Sequence, residues 1–184
     1  MKETKEILLI LDLDETLIHA TETELETESD FRYAEYYVYK RPYFIEFLTE
    51  MNTYFKLAIW SSADDKYVND IVELIKPIGI EFEFVWARSR CIPRRDYELD
   101  KYVREKRLKK VKKQGFTLEK SLIVDDSPEK TRDNFGNAIY VLPFEGKQSD
   151  NELNLLSKFL KTIKNSDNVR RIEKRGWRNK TLTI

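Results

Sequence analysis

The chain has 184 residues, of which 41% are hydrophobic, so one domain with a full core is expected and a disordered chain is excluded. Lysine plus arginine and aspartate plus glutamate number 33 each, so the net charge alone predicts no polyanionic partner. A single cysteine, Cys91, and a single histidine, His19, exclude an intrachain disulfide and a Cys/His zinc site. No apolar stretch approaches membrane-spanning length, and we expect a soluble cytoplasmic protein, or a nuclear one if the source is eukaryotic.

Short apolar runs, typical of buried strands, alternate along the chain with segments of helical spacing. The predicted strands are 7–11, 55–60, 82–86, 121–124 and 138–142. The predicted helices are 43–51, 65–75, roughly 99–113, and 152–163. We interpret Arg41 and Pro42 mainly as the start of the first helix. The alternation predicts a Rossmann-like α/β fold, with a mostly parallel sheet flanked by helices.

Two segments fall outside this alternation. Residues 21–40 are first acidic and then rich in tyrosine, and we interpret them as a small β insert over the carboxyl edge of the sheet. Residues 166–184 have no clear periodicity and resemble a basic tail that Trp177 could dock. The sequence therefore predicts one domain over 1–165, with the insert inside it, followed by the tail.

Acidic side chains follow two of the predicted strands. Asp12 and Asp14 come directly after the first apolar run, and Asp125 and Asp126 end a later one. Parallel sheets bind ligands at the carboxyl ends of their strands, so these carboxylates are expected to converge there. Carboxylates that lie so close need a counter-charge, and a hard cation such as Mg²⁺ suits oxygen ligands.

This arrangement indicates phosphoryl transfer. One aspartate, Asp12, can attack phosphorus as a nucleophile, while Asp14 can protonate the leaving oxygen and later activate water. A hydroxyl must hold a phosphoryl oxygen and a fixed cation must neutralise charge. Ser61 and a lysine from 106–113 are the candidates.

Four motifs occur in a fixed order, namely DLDETLIH, KRPYFIEFL, WSSADDKYV and LIVDDSP. Together they resemble the small C-terminal-domain phosphatases, also called NLI-interacting-factor-like phosphatases, of the haloacid dehalogenase superfamily. The resemblance covers about residues 5–165 and implies a haloacid dehalogenase fold without a large cap domain. It also implies a Mg²⁺-dependent phosphatase that acts through an aspartyl-phosphate.

The resemblance assigns roles to individual residues. It implies a nucleophile at Asp12, and at Asp14 a general acid/base whose backbone carbonyl also binds the metal. The implied metal ligands are Asp12, Asp14, Asp125 and Asp126. The implied phosphate-binding residues are Thr16, Ser61, Ser62 and Lys109. The implied substrate contacts are Lys66, Tyr67 and Arg88.

The substrate stays open at this point. The resemblance favours phosphoserine or phosphothreonine in a protein segment. The basic segments 101–113 and 170–180 keep the terminal phosphate of a nucleic acid as an alternative, and a non-catalytic phosphate-binding module is a further one. The stretch 92–107 is more charged than the resemblance leads us to expect, and the oligomeric state is not predicted.

Overall fold

The computed structural model describes residues 5–97 and 100–181. Its strands are β1 (Leu8–Leu11), β2 (Ile18–Thr21), β3 (Phe31–Tyr33), β4 (Tyr36–Lys40), β5 (Lys56–Trp60), β6 (Val85–Trp86), β7 (Ile92–Asp96), β8 (Lys101–Glu105), β9 (Ser121–Asp125) and β10 (Ala138–Tyr140). Its α-helices are α1 (Phe44–Tyr54), α2 (Asp65–Ile75), α3 (Pro128–Thr131), α4 (Glu152–Ile163) and α5 (Trp177–Thr181). Short 3-10 turns cover Arg88–Arg90, Leu108–Gln114, Leu118–Lys120, Arg132–Asn134 and Val169–Arg171.

A five-stranded parallel sheet forms the centre, in the order β10-β9-β1-β5-β6. All four residues of β1 are buried because β5 and β9 flank the strand and both faces of the sheet are covered. α-Helices cover one face, and Leu108 and Val111 of a 3-10 turn pack on the other. Leu11 pairs with Ile59 on one side and with Val124 on the other. This register brings the residues that follow β1, β5 and β9 to the same edge, as the sequence predicts.

The core lies in two layers, one on each face of the sheet. Alternate strand residues supply them: Leu9 and Leu11 belong to the larger layer, whereas Leu8 and Ile10 belong to the smaller one. Helices α1, α2 and α4 pack on the larger layer through their buried faces. The predicted α/β architecture is therefore confirmed.

The predicted insert is a separate antiparallel sheet in the order β2-β4-β3. Its Tyr33 and Tyr36 pack edge-on against Tyr67 of α2, with ring centroids 5.7 and 6.2 Å apart. The insert thus lies beside the carboxyl end of the central sheet. Among the described residues, the segment between β1 and β5 holds this small sheet and α1 rather than a large cap domain.

The helix predicted for roughly 99–113 is wrong in the part that the structure describes. Strands β7 and β8 form a hairpin of their own, and a 3-10 turn over Leu108–Gln114 follows it. Val103 and Glu105 are buried while their neighbours in β8 are exposed, which is the period of a strand and not of a helix. Residue 99 itself lies outside the described residues.

The basic segment after residue 165 folds back onto the domain. Trp177 is buried against Phe159 of α4, and its Nε1 donates a 2.9 Å hydrogen bond to the carbonyl of Tyr140 in β10. Lys174 is buried as well and donates to three backbone carbonyls. Within the described part of the chain, no helix combines the length and apolarity needed to cross a membrane.

Candidate active site

Three aspartates meet where β1 and β9 end. Asp12 follows the last residue of β1, Asp125 is the last residue of β9, and Asp126 comes next. Each offers a carboxylate oxygen, and these oxygens all lie within 4.8 Å of one another. Asp12 and Asp125 are buried, so their charges cannot be screened by water and need a partner inside the protein.

Lys106 supplies that partner. Its Nζ lies 2.6 Å from Oδ1 of Asp12 and 2.6 Å from Oδ2 of Asp125, and its side chain is fully buried. Burial alone would lower the pKa of Lys106, but the two carboxylates outweigh it and raise this pKa. Burial and the charge of Asp12 raise the pKa of Asp125, which Lys106 only partly offsets. The lysine is therefore held as a cation.

Asp14 occupies a different position in the site. Its carboxylate accepts a 2.7 Å hydrogen bond from the hydroxyl of Tyr67 and a 3.2 Å bond from Oγ of Ser61. Burial raises the pKa of Asp14, the hydrogen bond from Tyr67 opposes this, and the charge of Asp12 adds to it. The side chain of Asp14 is not part of the three-carboxylate group. A carboxyl group separate from that group is what a proton donor requires.

The loop between Asp12 and Ile18 is held by contacts from distant parts of the chain. Glu15 has a φ of 58°, in the left-handed region, and its carbonyl accepts a 2.7 Å bond from the backbone N–H of Phe144. Burial, together with the charges of Asp14 and Asp126, raises the pKa of Glu15 to about 7. Oγ1 of the buried Thr16 lies 3.5 Å from Oδ2 of Asp12.

Arg41 also holds the loop between Asp12 and Ile18. This buried guanidinium donates to the carbonyl of Thr16 at 3.1 Å and to the carbonyl of Leu142 at 2.9 Å. It also forms a two-pronged ion pair with Asp150, with both N···O distances 2.8 Å. Such a fork fixes orientation as well as charge, so Arg41 does much more than begin a helix.

The other residues with implied roles line the rim. Ser61 is buried, and its Oγ accepts a bond from the N–H of Ala63 at 3.0 Å. The carbonyl of Ser62 accepts a 3.2 Å bond from Nε of the exposed Arg88. Lys66 is exposed and pairs with Asp70, which draws its ammonium away from the carboxylates. Tyr67 and Ser61 are the members of this set that donate hydrogen bonds to Asp14.

The chain as a whole matches one family model. The NLI interacting factor-like phosphatase model covers residues 7–170. The chain belongs to this family. Its members are phosphatases, the phosphoric monoester hydrolases that the four motifs indicate, so the resemblance is confirmed.

Named relatives agree with the family. The chain is 30% identical over 171 residues to CTD small phosphatase-like protein 2 of Dictyostelium discoideum, covering 89% of this chain and 28% of the relative. It is 27% identical over 175 residues to human carboxy-terminal domain RNA polymerase II polypeptide A small phosphatase 1, covering 91% and 63%. Nuclear envelope morphology protein 1 of Saccharomyces cerevisiae is 28% identical over 180 residues, with 89% and 40% covered. The chain thus spans only part of the length of these relatives.

Solved structures share the fold. The RNA polymerase II CTD phosphatase Fcp1 of fission yeast, bound to beryllium fluoride, has a TM-score of 0.58 at 20% identity, over 97% of this chain and 50% of that one. An uncharacterized protein from Listeria monocytogenes has a TM-score of 0.57 at 17% identity, over 86% of this chain and 98% of that one. At these identities the likeness establishes the fold and no more.

Lys106 and Lys109 occupy different positions relative to the carboxylates. Lys109 is exposed beside a depression of about 420 Å³, which it shares with Arg107 and Arg132, whereas Lys106 reaches the carboxylates. The reason is local geometry, because Lys106 directly follows the hairpin strand β8 and Lys109 lies in the 3-10 turn after it. The resemblance implies Lys109 as the phosphate-binding lysine, whereas the range 106–113 indicated by the residues alone includes Lys106, the lysine that contacts the carboxylates.

The carboxylate oxygens fit a magnesium ion. Oδ1 of Asp125 already accepts the N–H of Ser127 at 2.9 Å, and its Oδ2 accepts Lys106. Among the described residues, Asp126 accepts a 3.1 Å hydrogen bond from the hydroxyl of Ser127 alone, and Oδ2 of Asp12 makes only the 3.5 Å contact with Oγ1 of Thr16. Hard oxygen donors of this kind suit Mg²⁺, with Asp12 and Asp126 the freest to bind it.

Proposed function

We propose that this domain is a magnesium-dependent phosphatase that forms a covalent aspartyl-phosphate on Asp12, with phosphoserine or phosphothreonine in protein as the substrate. The observation that carries this proposal is the position of Lys106. An ammonium has three N–H donors, and Lys106 uses two of them on Asp12 and Asp125, which leaves one for a phosphoryl oxygen. The proposed nucleophile, Asp12, and the proposed phosphate-binding cation, Lys106, are thus in direct contact inside the protein.

In the first step, a carboxylate oxygen of Asp12 attacks phosphorus. The bond between phosphorus and the serine or threonine oxygen breaks, and the carboxyl group of Asp14 donates its proton to that oxygen. In the second step, the Asp14 carboxylate takes a proton from water, whose oxygen attacks phosphorus. The bond to Asp12 then breaks, inorganic phosphate leaves, and Asp14 is protonated again.

The remaining residues position these groups. Tyr67 and Ser61 orient the Asp14 carboxyl group through the two hydrogen bonds described above. Asp12, Asp126 and the backbone carbonyl of Asp14 would hold the Mg²⁺, and Asp125 would support them through Lys106 and Ser127. When bound, Mg²⁺ supplies positive charge that stabilises the phosphoryl oxygens in the transition state.

A protein substrate is favoured by the relatives. Two of the relatives carry names that refer to a C-terminal domain, and the human one specifies RNA polymerase II. Nothing in these names favours a nucleic-acid end. A module that only holds phosphate would have no need of a second carboxyl group such as Asp14, hydrogen-bonded apart from the metal donors.

The test is hydrolysis of an aryl phosphate by the wild type and by Asp12→Asn, with and without Mg²⁺. We expect magnesium-dependent turnover that the variant loses by at least about a thousandfold, since the amide cannot form the phosphorylated intermediate. Asp167→Asn, at a highly exposed position, is the matched control and should keep full activity. Full activity in folded Asp12→Asn would refute the covalent mechanism.

A further inference from the structure

The hairpin β7–β8 is attached to the candidate active site at both of its ends. Its first residue follows Cys91, whose Sγ lies 3.7 Å from the carbonyl of Ser61. Its last residue, Glu105, directly precedes Lys106. Among the described residues, the two strands pair only with each other. A molecule that binds to the hairpin is therefore bound next to the candidate active site.

The two faces of the hairpin differ in whether their arginines pair with buried acids. On the inner face, the buried Glu105 accepts Nη1 of Arg94 at 3.0 Å and Nε of Arg107 at 2.7 Å. The buried Asp96 pairs with Arg132 of the following segment. Arg94 and Arg107 also lie 3.7 and 3.8 Å from Asp133, so the arginines on this side are paired with acids of the hairpin and of the segment that follows it.

The outer face consists of two cross-strand pairs, Pro93 with Arg104 and Arg95 with Tyr102. All four side chains are exposed, and Tyr102 keeps 74% of its surface open to solvent. Arg104 makes no ion pair or hydrogen bond within residues 5–97 and 100–181. Arg95 pairs with the exposed Asp100 at 3.2 Å and lies over the ring of the exposed Tyr97, 5.3 Å from the ring centroid. The face therefore presents two guanidinium groups and a tyrosine ring with no buried acid to neutralise them.

We propose that this outer face binds acidic residues of the phosphorylated polypeptide, a few positions from the residue whose phosphate enters the site. This inference rests on the proposed function. Arg104 is two residues from Lys106, and Tyr102, the cross-strand partner of Arg95, is four residues from it, which is about 7 and about 14 Å along an extended strand. Acidic residues a few positions from a phosphorylated residue held at Lys106 can therefore reach both arginines. Guanidinium groups form strong paired hydrogen bonds with carboxylates and phosphates.

An acidic peptide fits better than a nucleic acid. The insert exposes Glu22, Glu24, Glu26 and Glu28, and the site itself holds a group of aspartates. A continuous phosphate backbone would meet these negative charges on its way past the site, whereas a peptide can place its acids on the hairpin alone. The basic face is formed by only four residues of one hairpin, which suits a short acidic motif.

The test uses the full chain with Arg95→Gln/Arg104→Gln and, as a control of equal charge change, Arg170→Gln/Arg171→Gln. Both doubles remove two exposed arginines, but residues 170 and 171 lie on the C-terminal segment. The substrates are an aryl phosphate, phosphoserine peptides with acidic or with neutral flanks, and a 5′-phosphorylated oligonucleotide. Each kcat/KM is divided by that of the same variant on the aryl phosphate, and thermal unfolding shows that the variants fold.

We expect the wild type to prefer the acidic over the neutral peptide by about three- to tenfold, the range for two exposed ion pairs. The hairpin double should lose this preference and the control double should keep it. No acidic preference in the wild type, or an undiminished one in the hairpin double, would overturn the proposal. A hairpin double that lowers the ratio for the oligonucleotide instead would assign the face to nucleic acid and overturn it too.

Failure of the proposed function gives a different result. If no phosphate monoester is hydrolysed by the folded wild type, the catalytic proposal is wrong, and the face is then tested by binding. Fluorescence anisotropy of the labelled acidic and neutral phosphopeptides measures this directly. Weaker binding of the acidic peptide to the hairpin double than to the control supports the face, and equal binding refutes it.

Discussion

Two lysines are buried among the described residues, in two different regions of the molecule. Lys106 lies at the carboxyl edge of the sheet between two carboxylates, with one N–H left over. Lys174 lies under the C-terminal segment and donates to the carbonyls of Gly136, Val169 and Ile172, at 2.9, 2.5 and 3.0 Å. Its three donors are all used, so it can bind nothing else. Burial alone therefore does not distinguish the two lysines, whereas the number of N–H donors that the described residues accept does.

The largest effect is expected from Lys106→Met. Without the cation, the phosphoryl oxygens lose a donor inside a water-poor site, and kcat/KM on an aryl phosphate should fall by about 100- to 1000-fold. Lys109→Met is the matched control from the same basic run and should stay near wild type. If Lys109→Met were the inactive variant and Lys106→Met the active one, the lysine implied by the motifs would be the correct one.

The same variant has a pH signature in stability. Removing Lys106 leaves Asp12 and Asp125 without a counter-charge, which costs roughly 3–5 kcal/mol for a broken buried pair. The pKa of Asp125 is already raised, and losing Lys106 raises it further, so the folded state binds a proton that the unfolded state does not. The free energy of unfolding of the Lys106→Met variant therefore falls as the pH rises through the pKa of Asp125 in the folded state. Urea unfolding should show a larger loss at pH 8 than at pH 5, and a loss independent of pH would contradict this reading.

Arg41 donates to a carboxylate, as Lys106 does, and to backbone carbonyls, as Lys174 does, and Arg41→Lys tests this combination. Lysine keeps the charge near Asp150 but cannot reach Thr16 and Leu142 at the same time. We expect kcat to fall about tenfold and the free energy of unfolding to fall by about 2 kcal/mol, as hydrogen bonds to buried carbonyls are lost. Arg32→Lys, at an exposed position of the insert, should change neither. Lower stability with unchanged kcat would show that Arg41 does not position the loop.

The smallest effect on turnover is expected from Lys174→Met. The carbonyls of Gly136, Val169 and Ile172, one buried and two partly buried, lose the donor Lys174. This costs about 1–3 kcal/mol and lowers Tm by roughly 3–10 °C for a chain of this size. Turnover at 25 °C should be unchanged because the lysine has no contact with the site. Lys158→Met, at an exposed position of α4, is the control and should leave Tm near wild type. Loss of turnover in Lys174→Met at an unaltered Tm would show that Lys174, like Lys106, acts in catalysis rather than in stability.

The elements that the sequence predicts well are those decided by local pattern. The helices over 65–75 and 152–163 begin and end where their apolar spacing does, and the acids after β1 and β9 lie where the apolar runs end. The hairpin β7–β8 was missed because its strands are polar and are paired with each other rather than held in the core. That error also hides Lys106, because this residue directly follows β8 and reaches Asp12 and Asp125 from there, although the alternation of the strand alone would leave position 106 on the exposed face.

Arg41 was underestimated for a related reason. Its partners lie at residues 16, 142 and 150, and nothing in the surrounding sequence shows that they meet. Contacts of such sequence separation depend on the register of the whole sheet. The candidate site is therefore predictable in its acids and hydroxyls, which follow strands, and not in the cations that reach it from elsewhere.

The contacts of Arg41 also set an order of assembly. The loop between Asp12 and Ile18 lies near the start of the given sequence, yet its shape depends on Leu142, Phe144 and Asp150, which are synthesised more than a hundred residues later. A nascent chain that has released only its first half carries both Asp12 and Asp14 but lacks the groups that shape their loop. The site therefore matures late in folding, and we expect chemistry to begin only after the second half of the domain has closed on the first.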